Sequence, residues 1–169
     1  MSTLIVAFVV LALMLMETLR ASRNERAQRA RGGVEPPGDV YRLMQIAYPG
    51  SFAAMLLEGA MRGVPATPVL VAGVAVFAAA KALKWWAILS LGPFWTFRVL
   101  VVPGSQRVVT GPYRLLRHPN YVAVVGEFAG VALMTGALLS GPLALAGFAA
   151  LLVKRISVEE RALRELNGT

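Results

Sequence analysis

Hydrophobic residues along the chain are grouped into long runs with little polar interruption, a pattern typical of membrane-crossing helices. The first run, Leu4 to Met16, extends with its flanks from Met1 to Leu19, which approaches the length of about 20 residues that a crossing needs. No positive segment precedes this run and an arginine cluster follows it, which is opposite to the order in a cleavable signal peptide. We therefore predict a retained span.

The second and third runs predict two further helices. The second, Leu43 to Met61, is weaker because it contains Gln45, Pro49, Gly50 and Glu58, so its polar atoms are expected to face protein or a cavity. The third, Pro68 to Leu91, is apolar except for Lys81 and Lys84 near its end. We expect these long side chains to reach the membrane interface beside Trp85, Trp86 and Trp95.

The last two runs, Tyr121 to Leu139 and Leu143 to Val153, are separated by Ser140-Gly141-Pro142. This tripeptide predicts a tight turn and hence a helical hairpin. The final run is expected to continue as an amphipathic helix through Leu166. The predicted fold is all-α: one integral membrane domain over residues 1–169 with five transmembrane helices.

Composition narrows the possible chemistry. Hydrophobic residues make up 57% of the chain and charged residues 15%, whereas soluble domains have roughly 45–50% and 25%. The sequence has no cysteine and one histidine, which excludes disulfides, thiol nucleophiles, cysteine-bound zinc and polyhistidine metal sites. No metal is predicted, and the available groups are carboxylates, Arg, Tyr or a bound cofactor.

The charges predict the orientation in the membrane. With five spans and the N-terminus outside, sixteen of the 17 Lys and Arg residues lie on the cytoplasmic side, the two lysines of the third run included. Arg62 alone lies outside, as the positive-inside rule expects. A four-span alternative that omits the second run would place the Arg20 to Arg31 cluster opposite the others. We interpret this cluster as a topology signal that contacts anionic lipid, not nucleic acid.

The segment richest in reactive side chains is Gly111-Pro112-Tyr113-Arg114-Leu115-Leu116-Arg117-His118-Pro119-Asn120-Tyr121, which contains the only histidine. Because Pro119 disfavours a helical His118, the fourth helix is expected to begin near Pro119 or Asn120. Free amides at such an end would favour an anionic group. The alternative is an interfacial anchor of Arg and Tyr.

Three carboxylates add to this region. Glu127 lies about two turns inside the fourth span, where an ionisable residue requires a partner or a wet cavity. Glu159 and Glu160 lie at the cytoplasmic end of the last helix. A solvated helix end is the simpler interpretation of this acidic pair.

The order Gly-Pro-Tyr, Arg-His-Pro-Asn-Tyr, helical hairpin and Glu-Glu-Arg-Ala-Leu resembles the catalytic half of the isoprenylcysteine carboxyl methyltransferase family, which itself resembles phospholipid N-methyltransferases. Leu91-Gly92-Pro93-Phe94-Trp95 is similar to the stretch that precedes this block. The resemblance covers about Leu91 to Gly168 and implies S-adenosylmethionine as methyl donor, S-adenosylhomocysteine as product and no Rossmann domain. The sequence contains no G-x-G-x-x-G element.

The resemblance implies a division of roles. Residues 91–169 would form the catalytic half, and residues 1–90 would shape a tunnel for the acceptor. Catalytic candidates are Arg117, Glu127 and Glu160. Cofactor-binding candidates are Tyr113, His118, Pro119, Asn120, Tyr121, Arg155, Glu159 and Glu160.

The acceptor stays open. A carboxylate held by Arg117 or Arg155 would require no base, whereas a phenol or enol would use Glu127 or Glu160. After Glu159-Glu160-Arg161-Ala162-Leu163 the chain lacks the longer family tail. The context of Glu127 and the long Arg loop resemble the small bacterial branch of the family, which implies alkylpyrone- or alkylresorcinol-like acceptors at the inner membrane. An isoprenylcysteine-like acceptor is the weaker alternative, because no residue is tied to isoprene recognition. Alternatives are a phospholipid N-methyltransferase and a non-catalytic membrane subunit that binds a partner through its Arg loops. The oligomeric state is not predicted.

Overall fold

The computed structural model describes residues 2–105 and 107–167, and within these ranges it has five α-helices and no β-strand. The all-helical prediction is therefore confirmed for the described chain. Two short 3-10 turns, Gly92–Phe94 and Gly111–Arg114, lie between the third and fourth helices. The helices are α1 (Ser2–Ala30), α2 (Tyr41–Arg62), α3 (Thr67–Leu91), α4 (Pro119–Thr135) and α5 (Ser140–Asn167).

Three segments are long and apolar enough to cross a membrane: Thr3–Ala30, Thr67–Phe94 and Ser140–Glu165. They correspond to α1, α3 and α5, and they support the prediction of a membrane protein. α4 begins at Pro119, as predicted. α5 continues as a helix to Asn167, which agrees with the predicted continuation through Leu166.

Successive helices alternate in direction. Residues late in α3 lie beside residues early in α4, and Arg155 of α5 contacts Tyr121 of α4, so both neighbours run antiparallel to α4. α2 runs parallel to α4, because Tyr48 contacts Glu127 and Gly59 lies against Thr135.

The backbones of α3 and α4 approach closely. A Cβ atom placed on Gly130 would lie 2.7 Å from the backbone nitrogen of Phe77, and one placed on Gly73 would lie 2.7 Å from that of Met134. Glycine is required at such contacts because no side chain fits. This packing sets the first half of α3 directly against the second half of α4.

The hairpin between α4 and α5 differs from the prediction. α4 ends at Gly136, whose φ of 66° is left-handed, and Ser140-Gly141-Pro142 forms the first turn of α5. The predicted turn is wrong because Pro is also favoured in the first turn of a helix. Glu58 of α2 stabilises this helix start by accepting hydrogen bonds from the Leu139 and Ser140 amides at 3.1 and 2.7 Å. Its buried position confirms that this polar residue of the second run faces protein.

The segment after α1 folds back over the end of the bundle that carries the α3–α4 connection. Val34 forms an isolated antiparallel bridge with Val101, in the connection between α3 and α4. Asn24 of α1 donates hydrogen bonds to the carbonyls of Gly92 and Trp95 at 3.0 and 2.8 Å. These contacts attach the N-terminal part of the chain to the segment that leads into α4.

Candidate functional site

A cavity of about 350 Å³ extends from the end of the bundle that carries the α3–α4 connection into its interior. That volume lies in the range of small-molecule sites. We call Tyr113, His118, Tyr121 and Glu159 the outer group and Glu17, Tyr48 and Lys84 the inner group; both line this cavity. Apolar walls connect the two groups, and they include Trp95, Phe97, Val124, Phe148 and Leu152.

Tyr121 is the centre of the outer group. Its hydroxyl donates to Glu159 Oε2 at 2.6 Å and accepts from Arg155 Nε at 3.1 Å. The His118 ring stacks on the Tyr121 ring, with centroids 5.4 Å apart and planes 17° apart. The structure thus brings together four predicted site residues from two distant parts of the sequence. These are His118 and Tyr121 at the start of α4 and Arg155 and Glu159 on α5.

Glu160 lies next to this group, with Oε1 3.2 Å from His118 Nε2 and 3.7 Å from Arg117 Nη2. Both members of the acidic pair therefore contact the segment that begins α4, which a simple solvated helix end does not predict. Arg117 also lines the cavity, and its side chain is 72% exposed. It retains donors that face solvent.

The start of α4 is less open than predicted. The amides of Tyr121 and Val122 donate to the His118 carbonyl at 3.1 and 3.3 Å. The bond from Val122 is the first regular hydrogen bond of the helix, and the bond from Tyr121 leaves one fewer free amide at this end than predicted. Pro119 is buried below, and the Asn120 side chain accepts a hydrogen bond from Trp95 Nε1 at 3.2 Å.

Tyr113 enters the cavity from the 3-10 turn Gly111–Arg114. Burial and the nearby Glu159 carboxylate raise the pKa of Tyr113 above its ordinary value. Its phenol is therefore protonated at neutral pH and can donate a hydrogen bond.

Asp39 is a residue of the site that the sequence did not indicate. Its carboxylate accepts from Arg155 Nη1 at 3.1 Å and from the Val99 amide at 3.1 Å. Arg155 Nη2 donates to the Phe97 carbonyl. Arg155, predicted to bind the cofactor, is thus occupied by protein partners, and it positions Tyr121. No sequence signal could have paired residues 116 positions apart.

The inner part of the bundle contains a buried cluster of four charges: Glu17, Lys81, Lys84 and Glu127. Lys81 lies 2.7 Å from Glu17 and 2.8 Å from Glu127, and Lys84 lies 2.7 and 3.1 Å from the same two carboxylates. The four side chains are at most 11% exposed. We call this set the charge square.

The charge square corrects one prediction. Lys81 and Lys84 do not reach the membrane interface, because two carboxylates hold them inside the bundle. Two of the sixteen charges assigned to the cytoplasmic side are therefore neutralised internally. Glu17 was missed, although an acidic residue within an apolar run was a usable signal. The expectation that Glu127 has a buried partner is confirmed.

Tyr48 connects the charge square to the cavity. Its hydroxyl donates to Glu127 Oε2 and accepts from Lys84 Nζ at 3.2 Å. Glu127 is fully buried, and it contacts the cavity-lining Tyr48 and Lys84. Of the predicted catalytic residues, Arg117 lines the cavity, while Glu127 and Glu160 each contact residues that do.

The fold and cavity define a small helical membrane protein with a ligand-sized site that has polar groups at both ends. A sequence profile of the isoprenylcysteine carboxyl methyltransferase (ICMT) family matches residues 71–165, more than half of the chain. The chain belongs to this family of membrane methyltransferases. The match begins before Leu91, so it includes most of α3, with Lys81 and Lys84.

Two relatives match most of the chain. The uncharacterized protein YpbQ of Bacillus subtilis (strain 168) is 30% identical over 145 residues, which cover 86% of each chain. An uncharacterized protein of Haemophilus influenzae is 26% identical over 145 residues, which cover 85% of this chain and 84% of that protein. No solved structure matches significantly.

Proposed function

We propose that the protein transfers a methyl group from S-adenosylmethionine to an oxygen atom of a lipophilic acceptor taken from the bilayer. The observation that carries this proposal is the cavity that joins the outer group to the inner group. A methyltransferase binds a methyl donor and an acceptor. One cavity with a polar group at each end could hold the donor at one end and the acceptor at the other, with the reacting atoms between them.

The outer group fits the chemistry of S-adenosylmethionine. Glu159 offers a carboxylate to the ammonium group or the ribose diol, and Arg117 offers donors to the carboxylate of the methionine part. Trp95 and Phe97, whose ring centroids lie 5.3 Å apart, offer aromatic faces to the adenine or the sulfonium. Glu160 and Arg155 would not contact the cofactor. Glu160 would position His118, and Arg155 would position Tyr121.

When bound, the cofactor supplies a methyl carbon that is already activated for displacement. The residues of the chain then need to align the acceptor and exclude water, and such alignment supplies much of the acceleration in two-substrate reactions. The apolar walls around Phe148 and Leu152 would hold the hydrocarbon part of the acceptor.

The same proposal assigns a role to each half of the chain. Met14, Met44 and Gln45 line the cavity from α1 and α2, which supports an acceptor tunnel built by residues 1–90. The alternating direction of the helices supports five crossings, and the excess of Lys and Arg at the end of the bundle that carries the α3–α4 connection supports a cytoplasmic C-terminus. A bacterial inner membrane is the compartment proposed.

Isothermal titration of the purified protein in lipid nanodiscs with S-adenosylmethionine and S-adenosylhomocysteine tests the cofactor. Saturable binding of both is expected, and no binding in several lipid compositions would contradict the proposal. Mass spectrometry of lipids from cells fed labelled methionine, with and without this chain, then identifies the acceptor. A labelled choline lipid would instead indicate phospholipid N-methylation.

A further inference from the structure

Tyr48 stands between the cavity and the charge square. Its hydroxyl donates one hydrogen bond, to Glu127, and accepts one, from Lys84. A phenol oxygen has capacity to accept a second hydrogen bond, and Tyr48 lines the cavity wall. The Tyr48 oxygen can therefore accept a hydrogen bond from a ligand in the cavity while the Tyr48 hydroxyl donates to the Glu127 carboxylate.

Glu127 is held as a carboxylate, which is the form of the side chain that can accept a proton. The ammonium groups of Lys81 and Lys84, at 2.8 and 3.1 Å, keep this carboxylate charged. Glu17 balances the second lysine charge, so the charge square is neutral overall. Methyl transfer removes the positive charge of a sulfonium, and a proton that moves to Glu127 keeps the total charge of the buried site constant. The proton leaves the charge square with one excess positive charge, which takes the place of the charge lost from the sulfonium.

Resting on the proposed function, we propose that Tyr48 is a catalytic residue that binds the hydroxyl of a phenol- or enol-type acceptor and relays its proton to Glu127. The acceptor O–H bond breaks and its proton moves to the Tyr48 oxygen, while Tyr48 passes its own proton to Glu127. The acceptor oxygen forms a bond to the methyl carbon as the carbon–sulfur bond breaks, and that electron pair goes to sulfur.

The depth of Tyr48 agrees with this role. Its partner Glu127 lies six residues beyond Tyr121 on α4, which corresponds to about 9 Å along the helix. Val124 lies between them and lines the cavity. The relay is thus separated from the outer group by a distance that leaves space for the reacting atoms.

The first test uses no cofactor. The probe is 3-pentadecyl-4-nitrophenol bound to the protein in nanodiscs, whose absorbance reports loss of its phenolic proton as the pH is raised. We expect half-ionisation of the bound probe at least one pH unit lower in the wild type than in Tyr48→Phe, since one unit is a tenfold change in equilibrium. Equal values in the two proteins would overturn the relay.

Tyr41→Phe is the matched control. Tyr41 carries the same hydroxyl, and its ring lies under Arg98, with the guanidinium carbon 4.3 Å from the ring centroid. We expect the wild-type ionisation of the probe in this variant. Tyr48→Phe keeps the ring contacts of Tyr48 with Phe52 and Phe128, at centroid distances of 4.9 and 5.5 Å, so it should fold.

The second test measures transfer of a labelled methyl group to 3-pentadecylphenol and to its 4-nitro derivative. Loss of an acid–base group costs about 100-fold or more, so Tyr48→Phe should lose at least that on the phenol. It should lose less than tenfold on the nitrophenol, which ionises unaided. Equal losses, or a wild type that methylates palmitic acid and neither phenol, would overturn the relay. A wild type that does not bind S-adenosylmethionine would overturn the proposed function instead.

Discussion

The two ends of the cavity differ in how completely their charges are paired. In the charge square each carboxylate contacts both lysines, and no side chain is more than 11% exposed. At the outer end Arg117 is 72% exposed and reaches Glu160 only at 3.7 Å. Charges that are fully paired have little capacity for a ligand, whereas partly paired charges near solvent can exchange partners. The outer group is therefore suited to bind a cofactor, whereas the charge square is suited to stabilise the fold and to keep Glu127 in its carboxylate form.

The largest expected effect comes from unbalancing the charge square. Glu17→Gln or Lys81→Met alone leaves an uncompensated charge in the bundle, and breaking a buried pair costs about 3–5 kcal/mol. The double variant Glu17→Gln/Lys81→Met removes one charge of each sign, so it should be more stable than either single variant. Denaturant unfolding in mixed micelles measures the free energy of unfolding of each protein.

Glu25→Gln is the control for this experiment. Glu25 pairs with Arg29 and with Arg98, each at 3.1 Å, but the three side chains are 24–45% exposed, and exposed pairs contribute less than about 1 kcal/mol each. A double variant that loses the sum of the two single losses would contradict a coupled buried cluster.

The next largest effect is on cofactor binding, and it distinguishes Glu159 from Glu160. Glu159 lines the cavity, whereas Glu160 contacts His118. Glu159→Gln should weaken binding of S-adenosylhomocysteine by roughly 1.5–3 kcal/mol, the contribution of a hydrogen bond to a charged group. Isothermal titration measures this change, and Glu165→Gln, an exposed carboxylate on the same helix, should change nothing. A larger loss in Glu160→Gln than in Glu159→Gln would reverse their roles.

The same contrast explains which parts of the site could be predicted. The outer end is mostly local: Arg117 to Tyr121 are consecutive, and Pro119 fixes the start of α4. The charge square joins residues 64 and 43 positions apart. A lysine near the end of an apolar run is compatible both with reaching the interface and with burial, and only the packing of α3 on α4 decides between them.

The hairpin illustrates a similar limit. Ser140-Gly141-Pro142 is a good turn sequence and also a good first turn of a helix. The choice depends on Glu58, which accepts hydrogen bonds from the start of α5 across 82 positions of the chain. The hydrophobic runs predicted that the helices exist and alternate in direction. The start of α5 could not be predicted from them, because it depends on the contact with Glu58.

The smallest expected effect tests the packing that assembles the charge square. A Cβ on Gly130 would lie 2.7 Å from the nitrogen and 2.8 Å from the Cα of Phe77. Because backbone atoms cannot rotate away, Gly130→Ala should force α3 from α4 and cost about 1–3 kcal/mol. Gly147 of α5 has no atom within 4 Å of such a Cβ, so Gly147→Ala should leave stability unchanged or raise it by up to about 1 kcal/mol.

Both glycine variants are compared in the presence and absence of Glu17→Gln. If α3 and α4 separate, the charge square admits water, and Glu17→Gln should cost less free energy of unfolding in the Gly130→Ala background than in the wild type. Gly147→Ala should leave the cost of Glu17→Gln unchanged. Strict additivity in the Gly130→Ala background would mean that close helix packing does not hold the charge square together. The difference between the two ends would then arise from burial by α1 and α2, since Glu17 and Tyr48 belong to those helices.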